Sequence, residues 1–242
     1  MDVTEDTLLG GRVRLRQMKR GLRAGLDAVM LAAAVSAKPG ETVLEAGAGT
    51  GAAILCLMAR VPGLRGVAVE RDPALCELMR ENARLNGASL TVVEGDIADP
   101  AVAAGLPRCN RALANPPYWP AGSRPPDPLR AGATHEADLP LEAWLRFCAR
   151  ALRRGGSVTI ILPAARLSDG VLALRAAGCG GIWLRALQPL PDAAAKRILL
   201  CARPGLRAPD VVLPGVVLHA PGGGWTEEAA GLLAGRAILF GN

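Results

Sequence analysis

Hydrophobic residues along the chain fall into two alternating patterns. From Thr42 onward, short apolar runs typical of buried strands alternate with stretches whose apolar residues recur at helical spacing. Near-continuous apolar strands that alternate with helices indicate a parallel sheet covered on both faces. We therefore expect an α/β fold built on a doubly wound, seven-stranded, mostly parallel sheet. The seven predicted strands are TVLEAG, RGVAVE, SLTVVEG, RALANP, GSVTIILP, GIWLRALQPL and KRILLCARPG.

The connections between these runs add detail to the expected topology. Asp72-Pro73 is a favourable helix start, and Asn86-Gly87 is a favourable stop for the helix between them. Only PDAAA separates the last two strands, a connection too short for a crossover helix, so the last strand is predicted to be antiparallel. The Pro/Gly-rich tail that follows has no clear periodicity before a short helix predicted from Thr226 to Gly235.

The residues ahead of the sheet are strongly basic. GRVRLRQMKRGLR carries six basic residues between Arg12 and Arg23, and an apolar helix from about Ala24 to Ala37, which carries Asp27, follows it. Its alternating arginines fit either an exposed edge strand, where charge opposes further pairing, or an RNA-facing patch. We expect residues 1–40 to form this basic segment and a helix packed on the core, and residues 41–242 to form the main domain, with one domain overall.

Composition limits the class of protein and its partners. Half of the 242 residues are hydrophobic, which is enough for one sizeable core. The 28 Lys and Arg against 22 Asp and Glu, a net charge of +6, suit a polyanionic partner such as nucleic acid. Six cysteines without a C-x-x-C pair favour buried free thiols and argue against a metal site. The acidic start MDVTED and the lack of a membrane-spanning apolar run predict a soluble cytoplasmic protein.

A glycine-rich turn in VLEAGAGTGAAIL is a candidate cofactor site. Its G-x-G-x-G spacing differs from the G-x-G-x-x-G of dinucleotide folds, which argues against a nicotinamide-dependent oxidoreductase. Glu70 ends the next strand, 21 residues after Gly49 (70 minus 49), where a carboxylate can accept both hydroxyls of a ribose. After the third strand, Asp96 can accept from an adenine amino group while Ile97 holds the ring. The predicted cofactor site comprises Glu45, Ala46, Gly47, Gly49, Gly51, Glu70, Arg71, Asp96 and Ile97.

Four motifs occur in a fixed order, each at the end of a predicted strand: LEAGAGTG, VAVERD, GDI and ANPPY. Together they resemble the class I S-adenosylmethionine-dependent methyltransferases that modify planar nitrogens. The resemblance covers roughly Thr42 to Leu162, and Asn-Pro-Pro-Tyr is its most specific part. It implies a Rossmann-like fold, S-adenosyl-L-methionine as the cofactor, and an Asn115 that contacts both cofactor and substrate.

The Asn-Pro-Pro-Tyr motif suits methyl transfer to an exocyclic adenine nitrogen. That nitrogen is a poor nucleophile, and its two N–H groups can be held by the Asn115 side-chain oxygen and the Pro116 carbonyl. Pro117 stiffens the turn, and the Tyr118 ring can stack on the base. Alignment is sufficient, because the methyl donor is already reactive. Candidate RNA contacts are Arg23, Trp119, Arg124, Arg130 and His135.

Flanking segments narrow the expected substrate. TLLGGRVRLRQMKRGLRAGLDAVMLAA, AKRILLCARPG and LPGVVLHAPGGGWTEEA resemble the bacterial methyltransferases of valine tRNA, from about Leu8 to Leu233. That family forms N6-methyladenine beside the anticodon, so tRNA is the implied partner. Alternatives are the glutamine methyltransferases of release factors, which carry a sizeable helical domain ahead of the sheet, and guanine or adenine methyltransferases of rRNA. A non-catalytic RNA-binding subunit is an alternative of another class. The sequence does not determine the oligomeric state.

Overall fold

A computed structural model describes residues 2–19, 23–117, 139–238 and 240, which form eleven strands and seven α-helices. The strands are β1 (Val3–Leu8), β2 (Val13–Met18), β3 (Thr42–Ala46), β4 (Arg65–Glu70), β5 (Leu90–Glu94), β6 (Cys109–Ala114), β7 (Leu152–Pro163), β8 (Cys179–Gln188), β9 (Arg197–Pro204), β10 (Val211–Val212) and β11 (Val216–Val217). The helices are α1 (Leu26–Ala34), α2 (Ala52–Arg60), α3 (Pro73–Leu85), α4 (Pro100–Gly105), α5 (Leu141–Ala151), α6 (Leu167–Ala176) and α7 (Glu227–Leu233).

The main sheet has the strand order β10-β8-β9-β7-β6-β3-β4-β5, and β11 also pairs with β8. Strands β3 to β7 are parallel, whereas β9 is antiparallel to both of its neighbours, β7 and β8. The predicted α/β fold with an antiparallel last main strand is therefore confirmed. The sheet has nine strands instead of seven because two short segments of the tail, β10 and β11, pair with the edge of β8. Strands of two residues are too short to produce a periodic sequence pattern.

Two hydrophobic layers cover the sheet. In β3, Val43 points into the layer that contains α1, α2 and α7, whereas Leu44 and Ala46 point into the layer that contains α5 and α6. The same alternation recurs in β7, where Ile161 faces the first layer. Apolar side chains on both sides of each central strand account for the continuous apolar runs in the sequence.

Helix ends follow the capping signals in the sequence. The Asp72 side chain accepts hydrogen bonds from the N–H groups of Ala74 and Leu75 at the start of α3. Gly87, just beyond its end, has a φ of 58°, a left-handed conformation that favours glycine. The predicted N-terminal helix is shorter than expected: α1 ends at Ala34, and Val35 is already extended.

Strands β1 and β2 form a separate antiparallel hairpin, which is called the N-terminal hairpin below. In β2, Val13 and Leu15 are buried, whereas Arg14 and Arg16 point outward. The predicted strand with alternating arginines is therefore present. Arg14 forms an ion pair with Glu5, and Arg16 forms ion pairs with Glu5 and with Glu81 of α3.

Three further observations concern membrane, metal and thiol chemistry. Among the described residues, no helix is long and apolar enough to cross a bilayer. Within the same residues, His, Cys, Asp and Glu form no group of three or more that could hold a metal ion. All six cysteines are free and five of them are buried, so the prediction of free thiols is confirmed.

Candidate active site

The candidate site lies where the direction of the strand order reverses. The chain builds β3, β4 and β5 toward one side of the sheet and then returns to place β6 on the other side of β3. Ala46 of β3 is paired with Ala114 of β6, so Gly47 and Asn115 leave the sheet side by side. Neighbouring strands lie about 4.8 Å apart, and ligands of open α/β sheets bind at such reversal points, outside the carboxyl ends of the strands.

The other two predicted motifs continue along the same edge. Glu70 of β4 is paired with Glu94 of β5, and the Gly95 N–H donates to the Glu70 carbonyl at 2.9 Å. Asp96 therefore follows as the outermost of the four strand-end motifs. The four strand ends form a row from Asn115 to Asp96. Three spacings between neighbouring strands separate its two ends, which corresponds to about 14 Å. The structure thus brings all four sequence-predicted strand ends onto one edge.

Each glycine of the turn has its own structural reason. Gly47, Gly49 and Gly51 have φ values of 62°, 57° and 84°, all in the left-handed region. A Cβ on Gly51 would lie 2.9 Å from Cγ of Met79, so this position packs against the core. A Cβ on Gly49 would meet no atom of the described residues within 4 Å. The turn therefore has open space above Gly49, which suits close approach of a ligand.

Glu70 connects the glycine turn to the end of β4. Its buried carboxylate accepts hydrogen bonds from the N–H groups of Gly49 at 2.8 Å, Arg71 at 2.9 Å and Asp72 at 3.0 Å. A carboxylate has about four acceptor positions, so capacity remains for a further donor such as a ligand hydroxyl. The Arg71 side chain itself is exposed beyond the strand end.

Glu45 lies beneath the turn with 3% of its surface exposed. Its Oε2 accepts a hydrogen bond of 2.9 Å from the Ile54 N–H, near the start of α2. The pKa of Glu45 is raised to about 8, mainly because the carboxyl group is buried; the hydrogen bond from the Ile54 N–H lowers the pKa, and the nearby Glu70 charge raises it. A cationic ligand group beside Glu45 would favour the carboxylate form.

Asp96 and Ile97 have different exposures at the end of β5. Asp96 is exposed, and its Oδ1 accepts from the Ala98 N–H at 2.8 Å, which shapes the turn. Ile97 is half-buried and packs against the layer that contains α5 and α6. An exposed carboxylate beside an apolar side chain is compatible with binding a planar heterocycle.

The Asn-Pro-Pro segment directly follows β6. Asn115 and Pro117 are half-buried, and Pro116 is buried. The predicted residues Tyr118, Trp119, Arg124, Arg130 and His135 lie outside the described residues, and their roles stay predictions.

Arg23, a predicted RNA contact, stabilises the N-terminal hairpin. Its guanidinium donates to the Thr4 hydroxyl at 2.7 Å and to the Met18 carbonyl at 3.2 Å, and it forms an ion pair with Asp6. Asp6 also accepts a hydrogen bond from the Gln17 side chain at 3.0 Å. These contacts give Arg23 a structural role, and RNA binding by this residue stays a prediction.

Two residues that contact the turn were not predicted from the sequence. A Cβ on Gly47 would lie 2.5 Å from Cζ3 of Trp144, so the half-buried indole of α5 lies directly against the turn. The only sequence signal was the rarity of aromatic residues, which make up 3% of the chain. Asn82 of α3 donates to the Thr50 carbonyl at 3.0 Å, and nothing in its helical pattern distinguishes it.

Comparison with known proteins identifies the family. No protein-family model matches the chain. A tRNA1(Val) (adenine(37)-N6)-methyltransferase of Porphyromonas gingivalis is 31% identical over 207 residues, which are 82% of this chain and 81% of that protein. The chain belongs to the tRNA1(Val) (adenine(37)-N6)-methyltransferase family.

Membership in this adenine(37)-N6-methyltransferase family rests on more than the shared methyltransferase motifs. The aligned 207 residues exceed the 121 residues from Thr42 to Leu162 (162 minus 42, plus 1), so the similarity extends beyond the segment with the four motifs. The expected extended resemblance is therefore confirmed, and the nicotinamide-dependent alternative is excluded.

Two other matches show what the family shares with related proteins. A release factor glutamine methyltransferase of Deinococcus radiodurans is 33% identical over 159 residues, which cover 61% of this chain and 53% of that protein. The solved structure of a predicted O-methyltransferase from Agrobacterium tumefaciens matches with a TM-score of 0.74 at 26% identity. The matched residues cover 88% of the chain described here and 98% of the Agrobacterium tumefaciens protein. The match supports the Rossmann-like methyltransferase fold.

Proposed function

We propose that this protein methylates N6 of adenine in tRNA in the cytoplasm, with S-adenosyl-L-methionine as the methyl donor. The target is the adenine beside the anticodon of valine tRNA. The observation that carries the proposal is the pairing of Ala46 with Ala114, which brings the glycine turn and Asn115 together at one sheet edge. Family membership supports the nucleobase and the RNA.

The residues of the glycine turn and of the next two strand ends fit the cofactor. Open space above Gly49 accommodates a ligand, and Glu70 retains acceptor capacity for ribose hydroxyls. Asp96 and Ile97 are suited to the adenine ring, and a cationic group of the ligand beside buried Glu45 would favour the carboxylate form of Glu45. When bound, the cofactor supplies a methyl group that is activated by its sulfonium.

Asn115 and Pro116 would hold the acceptor nitrogen. The lone pair of an exocyclic amine is delocalised into the ring, so both N–H groups must be held for the lone pair to face the methyl group. The Asn115 side-chain oxygen and the Pro116 carbonyl each accept one N–H, and Pro117 limits the rotation of that carbonyl. The reaction requires alignment and no strong base, and the proton released from the methylated nitrogen passes to water.

The substrate base must leave its stack before it can enter the crevice. Bases in single-stranded RNA loops can be turned outward at lower cost than paired bases, which suits an adenine beside an anticodon. Tyr118 would then stack on that base, as predicted from the motif. The net charge of +6 supports an RNA partner.

Methylation of a glutamine side chain in a release factor is the second candidate. An amide nitrogen is also planar and also needs two acceptors, and the Deinococcus radiodurans relative supports this reading. The alignment with that relative covers only 61% of this chain, whereas the alignment with the tRNA methyltransferase of Porphyromonas gingivalis covers 82%. We therefore prefer the tRNA substrate.

The direct test offers three acceptors to the enzyme with methyl-labelled cofactor. These are unmodified valine tRNA, the same tRNA with the adenine beside the anticodon replaced by guanine, and a release factor. The proposal predicts label in the first RNA alone. Label in the guanine-substituted RNA would place the modification at another nucleotide, and label only in the release factor would make glutamine the substrate.

A further inference from the structure

A stacked pair of aromatic side chains lies outside the candidate active site. The rings of His219 and Trp225 are 4.4 Å apart between centroids, with an angle of 25° between their planes. Trp225 is 45% exposed, whereas the large core aromatic Phe147 is 4% exposed. An aromatic ring that is partly stacked and still widely exposed presents a flat surface to solvent.

Backbone hydrogen bonds fix the position of this pair. His219 and Trp225 form an antiparallel bridge at the base of a short loop, residues 219–225, which is called the aromatic loop below. The Ala220 N–H donates to the Gly224 carbonyl at 3.2 Å, and the His219 Nδ1 lies 3.2 Å from the same carbonyl oxygen. The Thr226 hydroxyl then caps α7 by accepting from the Ala229 N–H. The two rings are therefore held in place before any ligand binds.

The aromatic loop lies at the same edge of the sheet as the candidate active site. Strand β8 is parallel to β7, because β9 is antiparallel to both. At the last residue of β8, the Gln188 carbonyl accepts from the Leu218 N–H at 2.8 Å, and just after β8 the Pro189 carbonyl accepts from the His219 N–H at 3.0 Å. The loop is thus attached to the carboxyl end of a strand that runs in the same direction as β6.

The sheet order gives an approximate distance between the two sites. Between β11, which leads into the loop, and β6, which leads into Asn115, lie β8, β9 and β7. Four strand spacings correspond to about 19 Å. At about 3.4 Å per stacked nucleotide, this distance corresponds to about five or six nucleotides, which is within one RNA hairpin.

We propose that the His219–Trp225 pair is a second binding site for RNA, which stacks on a base of the same hairpin that supplies the target adenine. The inference rests on the proposed function and adds a contact remote from the methyl transfer. Aromatic side chains on which bases stack typically contribute about 1 to 3 kcal/mol per base. The exposed Lys196, in the β8–β9 connection at the same edge, supplies positive charge for the phosphates between the two sites.

The test measures RNA affinity separately from catalysis. A fluorescein-labelled stem-loop with the anticodon loop of valine tRNA is titrated with full-length protein in the presence of S-adenosylhomocysteine. Trp225→Ala is expected to raise the Kd for this RNA about 5- to 150-fold, which is the conversion of 1 to 3 kcal/mol. Trp225→Phe keeps a ring and should stay within about threefold of the unmodified protein. The matched control is Leu172→Ala on α6, which removes an exposed apolar side chain elsewhere on the surface. It should leave the Kd for the RNA unchanged.

Stacking itself is measured with 2-aminopurine placed at successive positions of the RNA. Its fluorescence should be quenched at one position, about five or six nucleotides from the target adenine, by the unmodified protein and by Trp225→Phe, but not by Trp225→Ala. His219→Ala keeps Trp225 and tests the pair if Trp225→Ala fails to fold, with an expected weakening of RNA binding. An unchanged Kd and unchanged quenching in every variant would overturn the inference. So would weaker methyl transfer at unchanged RNA affinity, which would indicate that the loop only supports the fold.

The two proposals fail in distinguishable ways. If the unmodified protein transfers no methyl to valine tRNA but binds the stem-loop through Trp225, the proposed function is wrong and the RNA site stands. If methyl transfer proceeds and Trp225→Ala binds RNA normally, only the second site is wrong.

Discussion

Single residues in the glycine turn show why three glycines are spaced as they are. All three have positive φ values, but their surroundings differ. Gly51 faces Met79 in the core, Gly47 faces the Trp144 indole, and Gly49 faces open space. Of the three possible alanine substitutions, only Gly49→Ala would place its Cβ in open space instead of against other side chains. It would therefore reduce the space for a ligand without disturbing the packing.

Gly49→Ala and Gly47→Ala should therefore have different effects. Gly49→Ala is expected to cost about 1 to 2 kcal/mol in folding free energy, because alanine is strained at positive φ, and to weaken cofactor binding at least about tenfold. Gly47→Ala should cost more folding free energy, because its Cβ also overlaps Trp144. Urea unfolding and calorimetric titration with S-adenosylhomocysteine measure both quantities. Unchanged cofactor affinity in Gly49→Ala would show that the open space is not the cofactor site.

Glu45 predicts a pH dependence of stability. Its folded-state pKa of about 8 lies above the ordinary value of 4.5, so its contribution to stability is complete below pH 4.5 and is lost as the pH rises through 8. The loss is at most about 5 kcal/mol. Glu45→Gln keeps an oxygen for the Ile54 N–H and should raise the melting temperature of the ligand-free protein at pH 9 but not at pH 4. Glu94→Gln, at an exposed carboxylate, is the control. Equal changes in melting temperature at pH 9 for the two variants would contradict this explanation.

The sequence predicted the candidate site at the level of strand ends but not its supporting contacts. Gly47, Glu70 and Asn115 could be located because each stands at the end of a predicted apolar strand, and parallel strands end at one edge. Trp144 could not be assigned to the turn because its helix pattern is equally typical of a residue packed in the core. Contacts of this kind depend on how α5 packs on the sheet, which has no local sequence signal.

At the level of elements, α3 connects the N-terminal hairpin to the glycine turn. The Asn82 side chain accepts from the Arg16 N–H at 2.7 Å and donates to the carbonyls of Arg16 and Thr50, both at 3.0 Å. One turn later, Asn86 makes the equivalent bonds with the backbone of Arg14. The side-chain amides of Asn82 and Asn86, four residues apart on α3, thus form hydrogen bonds with the backbone of β2 at the edge where another strand could pair.

Asn82→Ala should destabilise the protein and weaken cofactor binding. Asn82 is fully buried, and loss of three hydrogen bonds is expected to cost about 2 to 4 kcal/mol in unfolding free energy. Because one of these bonds is to Thr50 in the turn, the affinity for S-adenosylhomocysteine should also decrease. Asn86→Ala is the matched control: it loosens the same hairpin but has no bond to the turn, so cofactor affinity should be retained. Equal effects of both variants on affinity would show that Asn82 does not act through Thr50.

The strands and helices with a clear periodic pattern of apolar residues could be predicted from the sequence. β4 has the predicted bounds, and α3 lies between its predicted start at Asp72-Pro73 and its predicted stop at Asn86-Gly87. The two-residue strands β10 and β11 were not predicted, because their pairing depends on the exposed edge of β8 and not on their own pattern. The pairing of β2 with side chains of α3 is likewise a tertiary contact without a local signal.

At the scale of the whole molecule, charge is distributed less simply than the net value of +6 suggests. In the N-terminal hairpin, Arg14 and Arg16 are paired with Glu5 and Glu81, which offsets their charge locally. Arg12 donates to the carbonyls of Leu9 and Ala234 and so links the hairpin to the end of α7. These contacts give the alternating arginines a role in the fold of the hairpin, and RNA binding by them stays a prediction.

The double variant Arg14→Gln/Arg16→Gln distinguishes the two explanations. If the arginines only stabilise the hairpin, RNA affinity and the slope of its logarithm against the logarithm of salt concentration should both be unchanged. Phosphate contacts would instead reduce the slope by about one for each lost contact. We expect no change, measured by fluorescence anisotropy between low and physiological salt. A flatter slope would assign the hairpin to the RNA interface.

In the mechanism that we propose, the glycine turn and the Asn-Pro-Pro segment, adjacent through β3 and β6, form one methyl-transfer site. Asn115→Ala removes one of the two proposed acceptors for the target amino group and leaves the turn intact. Mass spectrometry of nucleosides from treated valine tRNA should find N6-methyladenosine with the unmodified enzyme, and at least about 100-fold less per unit time with the variant. The affinity for S-adenosylhomocysteine should be retained. Undiminished N6-methyladenosine formation by Asn115→Ala, or loss of its cofactor binding together with its activity, would contradict the account.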